Sequence, residues 1–207
     1  MYQNRKKNNS DIYPILLAAG CSKRLGFPKQ LLKYKSQSFI ARSLSVSNSI
    51  TQNKTIIVIG SNASKIRLAL NRLQSNYKII YNKKWKEGIA ESLKIGRKNI
   101  NSKAKAILIL SCDQPFINKS HIFKLISSWK MNKNNIIAAS YNNTFGIPII
   151  LPKKFFYLLN LTKEDKGAKQ IIKSKKKYLK LISIPEAAID IDTKEDQKKF
   201  LSINSIL

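Results

Sequence analysis

Residues 15–34 read ILLAAGCSKRLGFPKQLLKY, and this stretch decides how the rest of the sequence is interpreted. The apolar run at 12–18 has the length and composition of a buried β-strand. Gly20 comes shortly after it, where a residue without a Cβ allows a tight turn. Arg24 and Lys29 add fixed positive charges, so the loop can hold phosphate oxygens together with its own N–H groups. An ordinary basic surface loop is the alternative, because neither a P-loop ending nor the GxGxxG spacing is present.

The remaining sequence alternates apolar runs of strand length with helical patterns. This alternation is typical of a mainly parallel sheet covered by helices. Further strands are expected at 55–59, 77–81, 104–110, 136–141, 147–151, 178–184 and 188–191. Helices are expected at 39–50, 63–73, 92–99, 119–131, 153–160 and 167–175, and from 194 onward. We therefore predict an α/β protein of three layers with a Rossmann-like, mostly parallel mixed sheet, in which residues 1–10 are a basic flexible tail and residues 11–207 form a single domain.

The formal charge is +28, from 39 basic and 11 acidic residues. Such a charge would suit a nucleic-acid-binding protein, because neutralising phosphates drives that association. However, 33 of the basic residues are Lys, and the chain also has 19 Asn and 31 Ile, which together indicate a bias toward A- and T-rich codons. The Lys residues are spread over all predicted elements, and no nucleic-acid-binding motif accompanies them. Codon bias is therefore preferred, with only nonspecific binding of nucleic acid expected from the charge.

Cysteine, histidine and hydropathy exclude further classes of protein. Cys21 and Cys112 lack metal-ligand spacing, and a chain with His121 as its single histidine does not suit a His-rich zinc site or a His-based triad. No run of about eighteen apolar residues is present, so no membrane span is expected. Without an export signal, the cytoplasm is the expected location.

Acidic residues are rare, and two groups of them stand at predicted strand ends. Asp113 follows the strand at 104–110, and Asp190 and Asp192 close the short strand at 188–191. Ligands of open parallel sheets bind at the carboxyl ends of strands. Mg²⁺ is commonly held by one or two carboxylates together with phosphates. The sequence therefore predicts a magnesium site from Asp113 and Asp192, with Asp190 or a structural capping role for Asp192 as alternatives.

Six segments, in this order, resemble the molybdenum cofactor cytidylyltransferase group of the Rossmann-like nucleotidylyltransferases. They are LAAGCSKRLGFPKQLL (17–32), WKEGIAESLKIG (85–96), LSCDQPFI (110–117), FGIPIILP (145–152), KEDKGAKQII (163–172) and AIDIDTKEDQ (188–197). The first segment is shared by the broad superfamily, whereas CDQPF with DKGAK and DIDT is more specific. The resemblance implies a nucleotidyltransferase fold and Mg²⁺-dependent transfer of CMP from CTP to the phosphate of molybdopterin, with release of pyrophosphate. It also implies a delivery partner for the product, a molybdoenzyme or its chaperone. LAAG rather than LAGG is more like the cytidylyl branch than the guanylyl branch, so CTP is preferred over GTP.

The resemblance implies roles for individual residues. The implied nucleotide-binding residues are Leu17, Ala18, Ala19, Gly20, Arg24, Lys29, Gly88 and Ser92. Arg24 and Lys29 are also the implied catalytic residues, because they would neutralise charge on the triphosphate during an in-line displacement. The implied acceptor-binding residues are Gly146, Pro148, Asp165 and Lys169, and the implied metal ligands are Asp113 and Asp192.

Two departures from the family pattern leave alternatives open. Lys169 stands where the family often has Arg, which keeps the charge but loses bidentate geometry. Glu91 stands where a small residue is common. The acceptor is therefore left open to a sugar phosphate or an isoprenoid-precursor phosphate. A basic nucleic-acid-binding module and a homologue that binds nucleotide without turnover are further alternatives.

Overall fold

The apolar run at 12–18 forms a strand near the middle of a seven-stranded sheet. The computed structural model describes residues 10–161 and 168–206. Its strands in chain order are β1 (Ile12–Ala18), β2 (Lys33–Tyr34), β3 (Gln37–Ser38), β4 (Thr55–Ile59), β5 (Tyr77–Tyr81), β6 (Ala106–Ser111), β7 (Ile136–Tyr141), β8 (Thr144–Pro152) and β9 (Leu179–Ser183). The large sheet has the order β5-β4-β1-β6-β8-β7-β9, and β2 pairs with β3 in a separate two-stranded sheet.

Six α-helices and several short 3₁₀ segments connect these strands in the described part of the chain. The helices are α1 (Phe39–Ile50), α2 (Ala63–Asn71), α3 (Ile89–Lys98), α4 (Lys119–Met131), α5 (Ala168–Lys173) and α6 (Lys194–Ile206). The 3₁₀ segments are Lys29–Leu31, Trp85–Glu87, Lys153–Asn160, Lys176–Tyr178 and Pro185–Ala188. Local sequence explains where helices begin: the Ser38 side chain accepts a hydrogen bond from the Ala41 N–H at 3.3 Å, which caps α1.

The order of the strands creates a crevice beside β1. This strand pairs in parallel with β4 on one side and with β6 on the other. The chain runs from β1 outward to β4 and β5 before it returns to β6, so the strand order reverses at β1. Ligands of open α/β sheets bind at the carboxyl ends of strands at such a point. β8 is antiparallel to both β6 and β7, so the sheet is mixed and mostly parallel, as predicted.

The central strands of the sheet are buried on both faces. Along β6, Leu108 and Leu110 pack into one apolar cluster, and Ile107 and Ile109 pack into the other. The alternation follows from the two-residue period of a strand, and all four side chains are buried. The first cluster includes residues of α1, α2 and α4, and the second includes residues of α3 and of the 3₁₀ segment Lys153–Asn160. This three-layer arrangement explains why β6 is a continuous apolar run.

Most predicted elements are confirmed to within a few residues, and the strand predicted at 188–191 is wrong. Pro185, which favours the first turn of a helix, instead opens a 3₁₀ turn that ends at Ala188, and residues 189–192 have no regular structure. β8 begins three residues earlier than predicted. The reason is a tight turn at Asn142 and Asn143, whose φ angles of 44° and 55° suit a two-residue hairpin.

The predicted tail lies outside the described residues, with the exception of Ser10. Within the described ranges, no helix combines the length and the apolar character that a membrane crossing requires.

His121 is buried in the first turn of α4, where it completes the helix cap. Asn118 Oδ1 accepts hydrogen bonds from the N–H groups of Ser120 (2.9 Å) and His121 (3.2 Å). In return, His121 Nδ1 accepts from the Asn118 N–H at 3.4 Å, and Nε2 lies 3.5 Å from Glu186. Burial lowers the pKa of His121, and Glu186 only partly opposes this effect. The cap therefore requires a neutral imidazole.

We expect the pKa of His121 in the folded protein to lie below its ordinary value of 6.5. The folded state then binds fewer protons than the unfolded state, so the free energy of unfolding should be constant at higher pH and fall as the pH drops below about 6.5. A proton NMR titration measures this pKa without assignment, because the chain has one histidine. His121→Gln should lose this part of the pH dependence of stability. A titration midpoint at or above 6.5 would contradict the role of burial.

Candidate active site

The loop after β1 is shaped by residues with a left-handed backbone. Ser22 has a φ of 52° and Gly26 a φ of 74°. The N–H groups of Leu25 and Gly26 both donate to the Ser22 carbonyl at 3.1 Å, and Ser22 Oγ accepts from the Lys29 N–H at 3.1 Å. Gly20 is not left-handed, and a Cβ there would meet nothing within 4 Å. The tight turn predicted at Gly20 is therefore wrong, and Ser22 and Gly26 make the turn instead.

Gln30 ties this loop to the end of β1. Its side chain is almost fully buried, and Nε2 donates to the carbonyls of Ala18 (3.0 Å) and Gly20 (2.8 Å). Its Oε1 is buried and has no hydrogen-bond donor in the described part of the protein. No sequence pattern indicated this role, because a glutamine after a lysine carries no signal of burial by itself.

Lys29 joins two carboxylates that come from distant parts of the chain. Its Nζ donates to Asp113 Oδ2 at 2.7 Å and to Asp192 Oδ1 at 2.5 Å. Arg24 donates through Nη2 to the other oxygen of Asp192 at 2.9 Å. The Lys29 side chain is 12% exposed and that of Arg24 is 70% exposed, so the lysine is the protected charge of the cluster. The four residues implied in catalysis and metal binding thus lie together at the carboxyl end of the sheet.

The environment keeps Lys29 charged. Burial alone would lower the pKa of Lys29, but Asp113 and Asp192 outweigh burial and raise the pKa above its ordinary value. The other oxygen of Asp113 accepts a hydrogen bond from the Ser111 hydroxyl. This contact fixes the orientation of the carboxylate, so Asp113 presents one oxygen to the cation.

Asp192 is held in place by the start of α6 and by an apolar cluster. The N–H groups of Asp192 and Thr193 donate to Asp196 Oδ2 at 3.1 and 2.8 Å, and Thr193 Oγ1 accepts from the Asp196 N–H at 3.1 Å. These hydrogen bonds lower the pKa of Asp196 and confirm Thr193 as the predicted N-cap. Ile191 is buried in a cluster formed with Leu25, Leu32, Tyr34, Phe39 and Phe200. Asp192 is therefore anchored on both sides.

A cavity of about 340 Å³ lies beside this cluster, and we call it the nucleotide cavity. Seven of the eight residues implied in nucleotide binding line it: Leu17, Ala18, Ala19, Gly20, Lys29, Gly88 and Ser92. Arg24 is not part of the lining and reaches the site through Asp192. The opposite wall includes Trp85, Lys86 and Ile89, which belong to the segment WKEGIAESLKIG but were not assigned individual roles from the sequence. Gly88 begins α3 there with a φ of 93°, a conformation that favours glycine.

Trp85 can pack close to the end of β1 because Gly60, which lies between them, has no side chain. A Cβ on Gly60 would lie 2.4 Å from the Cβ of Trp85 and 2.9 Å from the Ala19 carbonyl oxygen. The N–H of Ser61 donates to the same carbonyl at 3.1 Å. The end of β4 therefore sets the distance between two walls of the nucleotide cavity.

A second cavity of about 320 Å³ adjoins the first, and we call it the acceptor cavity. The two cavities share Ile89, Ser111 and Asp113 as lining residues. The four residues implied in acceptor binding do not all lie at this cavity. Gly146 and Lys169 line the acceptor cavity, Pro148 is not in its lining, and Asp165 lies outside the described residues.

Aromatic rings and charges of both signs line the acceptor cavity. Lys169 donates to Thr144 Oγ1, and its Nζ lies 5.9 Å from the centroid of the Phe145 ring. The Tyr141 hydroxyl lies against Gly146, where a Cβ would be 2.4 Å from the hydroxyl oxygen. Burial, reinforced by Asp113 and Asp192, raises the pKa of Asp190, which is a further lining residue. The arrangement can hold a planar ring and place a cation beside an anionic group.

Gln114 supports the acceptor cavity as Gln30 supports the nucleotide cavity. Its Nε2 donates to the carbonyls of Ile147 (2.9 Å) and Ala187 (2.8 Å). Its Oε1 is buried and, among the described residues, has no donor. The glutamine of the CDQPF segment thus joins β8 to the 3₁₀ segment Pro185–Ala188.

Asp113 and Asp192 have the chemistry of a magnesium site. Both carboxylates already converge on one positive charge, since each lies within 2.7 Å of Lys29 Nζ. Within residues 10–161 and 168–206, no group of three or more His, Cys, Asp or Glu side chains is placed to hold a metal ion. Mg²⁺ typically takes one or two protein carboxylates and completes its octahedron with phosphate and water oxygens. The residues therefore fit a Mg²⁺ ion that binds together with a triphosphate.

We expect Gly60→Ala to disturb both the fold and the nucleotide cavity. The added methyl group meets Trp85 and the main chain of Ala19, so the variant should lose roughly 1–3 kcal/mol of stability by overpacking. Thermal unfolding measures this loss, and quenching of Trp85 fluorescence measures nucleotide affinity, which should fall. Gly20→Ala is the matched control for stability, because its Cβ meets nothing within 4 Å. Equal melting temperatures for the two variants would contradict this account of Gly60.

Comparison with known proteins gives a family match over most of the chain. Residues 14–179 match the family model described as the MobA-like NTP transferase domain. A search of curated proteins found no relative with significant sequence similarity.

Solved structures share the fold over nearly their whole length. Rv0371c from Mycobacterium tuberculosis H37Rv is 25% identical with a TM-score of 0.78, and the match covers 93% of this chain and 98% of that one. A second structure of Rv0371c is a complex with manganese, at 22% identity, a TM-score of 0.74 and the same coverage. Molybdopterin-guanine dinucleotide biosynthesis protein A from Archaeoglobus fulgidus is 14% identical with a TM-score of 0.67, covering 94% of this chain and 100% of that one. The 4-diphosphocytidyl-2C-methyl-D-erythritol synthase from Anaerococcus prevotii is 17% identical with a TM-score of 0.72, covering 94% and 95%.

With the family model spanning β1 to β9, the chain belongs to the MobA-like NTP transferase family.

Proposed function

We propose that this nucleotidyltransferase moves CMP from CTP to the phosphate of molybdopterin or its molybdenum form, with Mg²⁺ and with release of pyrophosphate. Transfer from a nucleoside triphosphate follows from the family match. We add four specific parts to this family activity: the nucleotide, the acceptor, the metal and the cytoplasmic location expected from the sequence. A molybdoenzyme or its chaperone would then receive the product.

The observation that carries the proposal is the position of Asp113 and Lys29 between two cavities. Asp113 lines both the nucleotide cavity and the acceptor cavity, and it contacts the Lys29 ammonium group at 2.7 Å. A largely buried positive charge and a carboxylate thus lie where two substrates would meet. This is where negative charge develops when one phosphate attacks another.

The reaction needs alignment and charge neutralisation more than acid–base chemistry. An oxygen of the acceptor phosphate attacks the α-phosphorus of CTP, and the bond from that phosphorus to the bridging oxygen breaks. Pyrophosphate leaves with the electron pair. Because the acceptor phosphate is already an anion, no general base has to remove a proton from it.

Each charged residue of the site has a distinct role in this proposal. When bound at Asp113 and Asp192, Mg²⁺ would neutralise charge on the phosphates. Lys29 turns from its carboxylate partners toward phosphate oxygens. Because its side chain is shielded from water, its attraction to the phosphates is weakly screened. Arg24, which is mostly exposed, would hold the outer part of the triphosphate.

CTP is proposed over GTP because LAAG in the first loop is more like the cytidylyl branch of the family. The name of the Anaerococcus prevotii neighbour contains a cytidyl product, and that of the Archaeoglobus fulgidus neighbour contains a guanine dinucleotide. Both likenesses concern the fold alone, so they leave the choice of nucleotide to experiment. GTP is therefore the first alternative.

A pterin phosphate is proposed as the acceptor because of the acceptor cavity. Tyr141 and Phe145 contribute aromatic rings to the lining, and Lys169 contributes a cation that suits a phosphate. Asp190, which also lines this cavity, is an acceptor for ring N–H groups of a pterin. A sugar phosphate or an isoprenoid-precursor phosphate lacks an aromatic ring and would leave the two rings of the cavity without a partner.

A nucleotide screen tests the first part of the proposal. We expect CTP with Mg²⁺ to raise the melting temperature more than GTP, ATP or UTP do, because a ligand that binds only the folded state stabilises it by mass action. Pyrophosphate release is then measured with CTP and either molybdopterin or an isoprenoid-precursor phosphate. Release only with GTP, or only with the second acceptor, would replace the proposed pair of substrates.

Lys29→Ala should lower turnover by on the order of a hundredfold or more, because it removes a preorganised charge from the transition state. Asp113→Asn should abolish Mg²⁺-dependent pyrophosphate release and leave the fold intact. The matched control is Lys33→Ala, since Lys33 is exposed on β2 and lies outside both cavities. Full activity in Lys29→Ala or Asp113→Asn, measured under single-turnover conditions, would remove these residues from the mechanism.

A further inference from the structure

A third cavity, of about 760 Å³, lies between the end of β5 and the outer part of α3. We call it the cationic groove and define it by Tyr81, Lys83, Lys84, Lys94, Arg97 and Lys98. Five of its ten lining residues are basic, against 39 of 207 in the whole chain. The share of basic residues in this lining is thus higher than in the chain as a whole.

The charge of the groove is only partly balanced. Glu91 pairs with Lys94 at 2.5 Å, and Glu87 pairs with Lys84 at 3.3 Å. Within the described residues, no ion pair neutralises Lys83, Arg97 or Lys98. These three side chains are thus available to an anion, whereas the two paired lysines are already engaged.

Arg97 is held in place rather than extended into solvent. Its guanidinium carbon lies 4.9 Å from the centroid of the Phe156 ring. Its Nε is buried, and no acceptor for it exists in the described part of the chain. A guanidinium group fixed on a ring presents its N–H groups in one plane, which suits bidentate binding of a phosphate.

Tyr81 adds an aromatic surface to the same groove. It ends β5, an edge strand of the sheet, and this large aromatic residue is 41% exposed. Aromatic rings next to Lys and Arg are the usual combination for binding a base together with its phosphates. A volume of 760 Å³ is that of a site for a single small organic ligand, which favours a mononucleotide over a polymer.

The groove and the nucleotide cavity are connected through one buried contact. Asn82 lines the groove, is almost fully buried, and donates through Nδ2 to Ser92 Oγ at 3.1 Å. Ser92 lines the nucleotide cavity. Asn82 Oδ1 also accepts from the Lys84 N–H at 2.9 Å, which fixes the segment that leads to Trp85. The hydrogen bond between Asn82 and Ser92 therefore joins the lining of the groove to the lining of the nucleotide cavity.

We propose that the cationic groove is a second site for a nucleoside phosphate, separate from the nucleotide cavity. The base stacks on Tyr81, and the phosphates bind Lys83, Arg97 and Lys98. Occupation of this site changes the affinity of the nucleotide cavity through Asn82 and Ser92. The proposal does not depend on which acceptor the enzyme uses.

The test compares two triple variants that remove the same charge. The groove variant is Lys83→Gln/Arg97→Gln/Lys98→Gln. The control variant is Lys54→Gln/Arg72→Gln/Lys103→Gln, whose three exposed residues lie near the opposite ends of the strands, before β4, after α2 and before β6. Isothermal titration calorimetry with CTP and with ATP counts the sites in each protein. We expect one site fewer in the groove variant than in the wild type and the control variant.

A second measurement identifies the class of ligand. Tyr81→Leu should weaken nucleotide binding in the groove by about tenfold, the order expected for loss of one stacked base, and leave binding of inorganic tripolyphosphate unchanged. Equal binding by the groove and control variants would overturn the proposal, as would an oligothymidine that binds the groove more tightly than mononucleotides. If the nucleotide cavity fails to bind CTP, the wild type and both triple variants each show one site fewer. The groove variant still binds one nucleotide fewer than the control variant, so the two proposals fail in distinguishable ways.

Discussion

The ammonium group of Lys29 between Asp113 and Asp192 is the interaction on which the site depends. A buried lysine is costly unless carboxylates compensate for its lost hydration, and two of them lie within 2.7 Å of Nζ. The three residues belong to the first loop, to the end of β6 and to the segment before α6. One ion cluster therefore fixes the relative positions of three distant parts of the chain.

Hydrogen bonds around this cluster give it a defined geometry. Gln30 binds the loop to the end of β1, Ser111 orients Asp113, and Asp196 holds the segment that carries Asp192. They keep the charged groups in place, which is what a reaction driven by alignment and charge neutralisation requires.

The sequence predicts the fold well because its signals are local. Strand β6 is a continuous apolar run, and Asn118 and Thr193 are recognisable helix caps, so their elements follow from nearby residues. The grouping of Arg24, Lys29, Asp113 and Asp192 came from motifs. In contrast, Gly60 matters only because Trp85 packs on it from 25 positions away. Gln30 and Gln114 act through main-chain carbonyls, and the cationic groove arises from separate segments that each look like ordinary lysine-rich surface.

The wall that the nucleotide cavity and the acceptor cavity share has a consequence for the product. In the proposed reaction each substrate would contact Ile89, Ser111 or Asp113 from its own cavity, and a product that joins both substrates covalently would contact this shared wall from both sides at once. Its two halves are then held at a high effective concentration near their sites. Release of this product, rather than bond formation, would thus limit the rate of turnover. A receiving protein that binds one half of the product would accelerate its release.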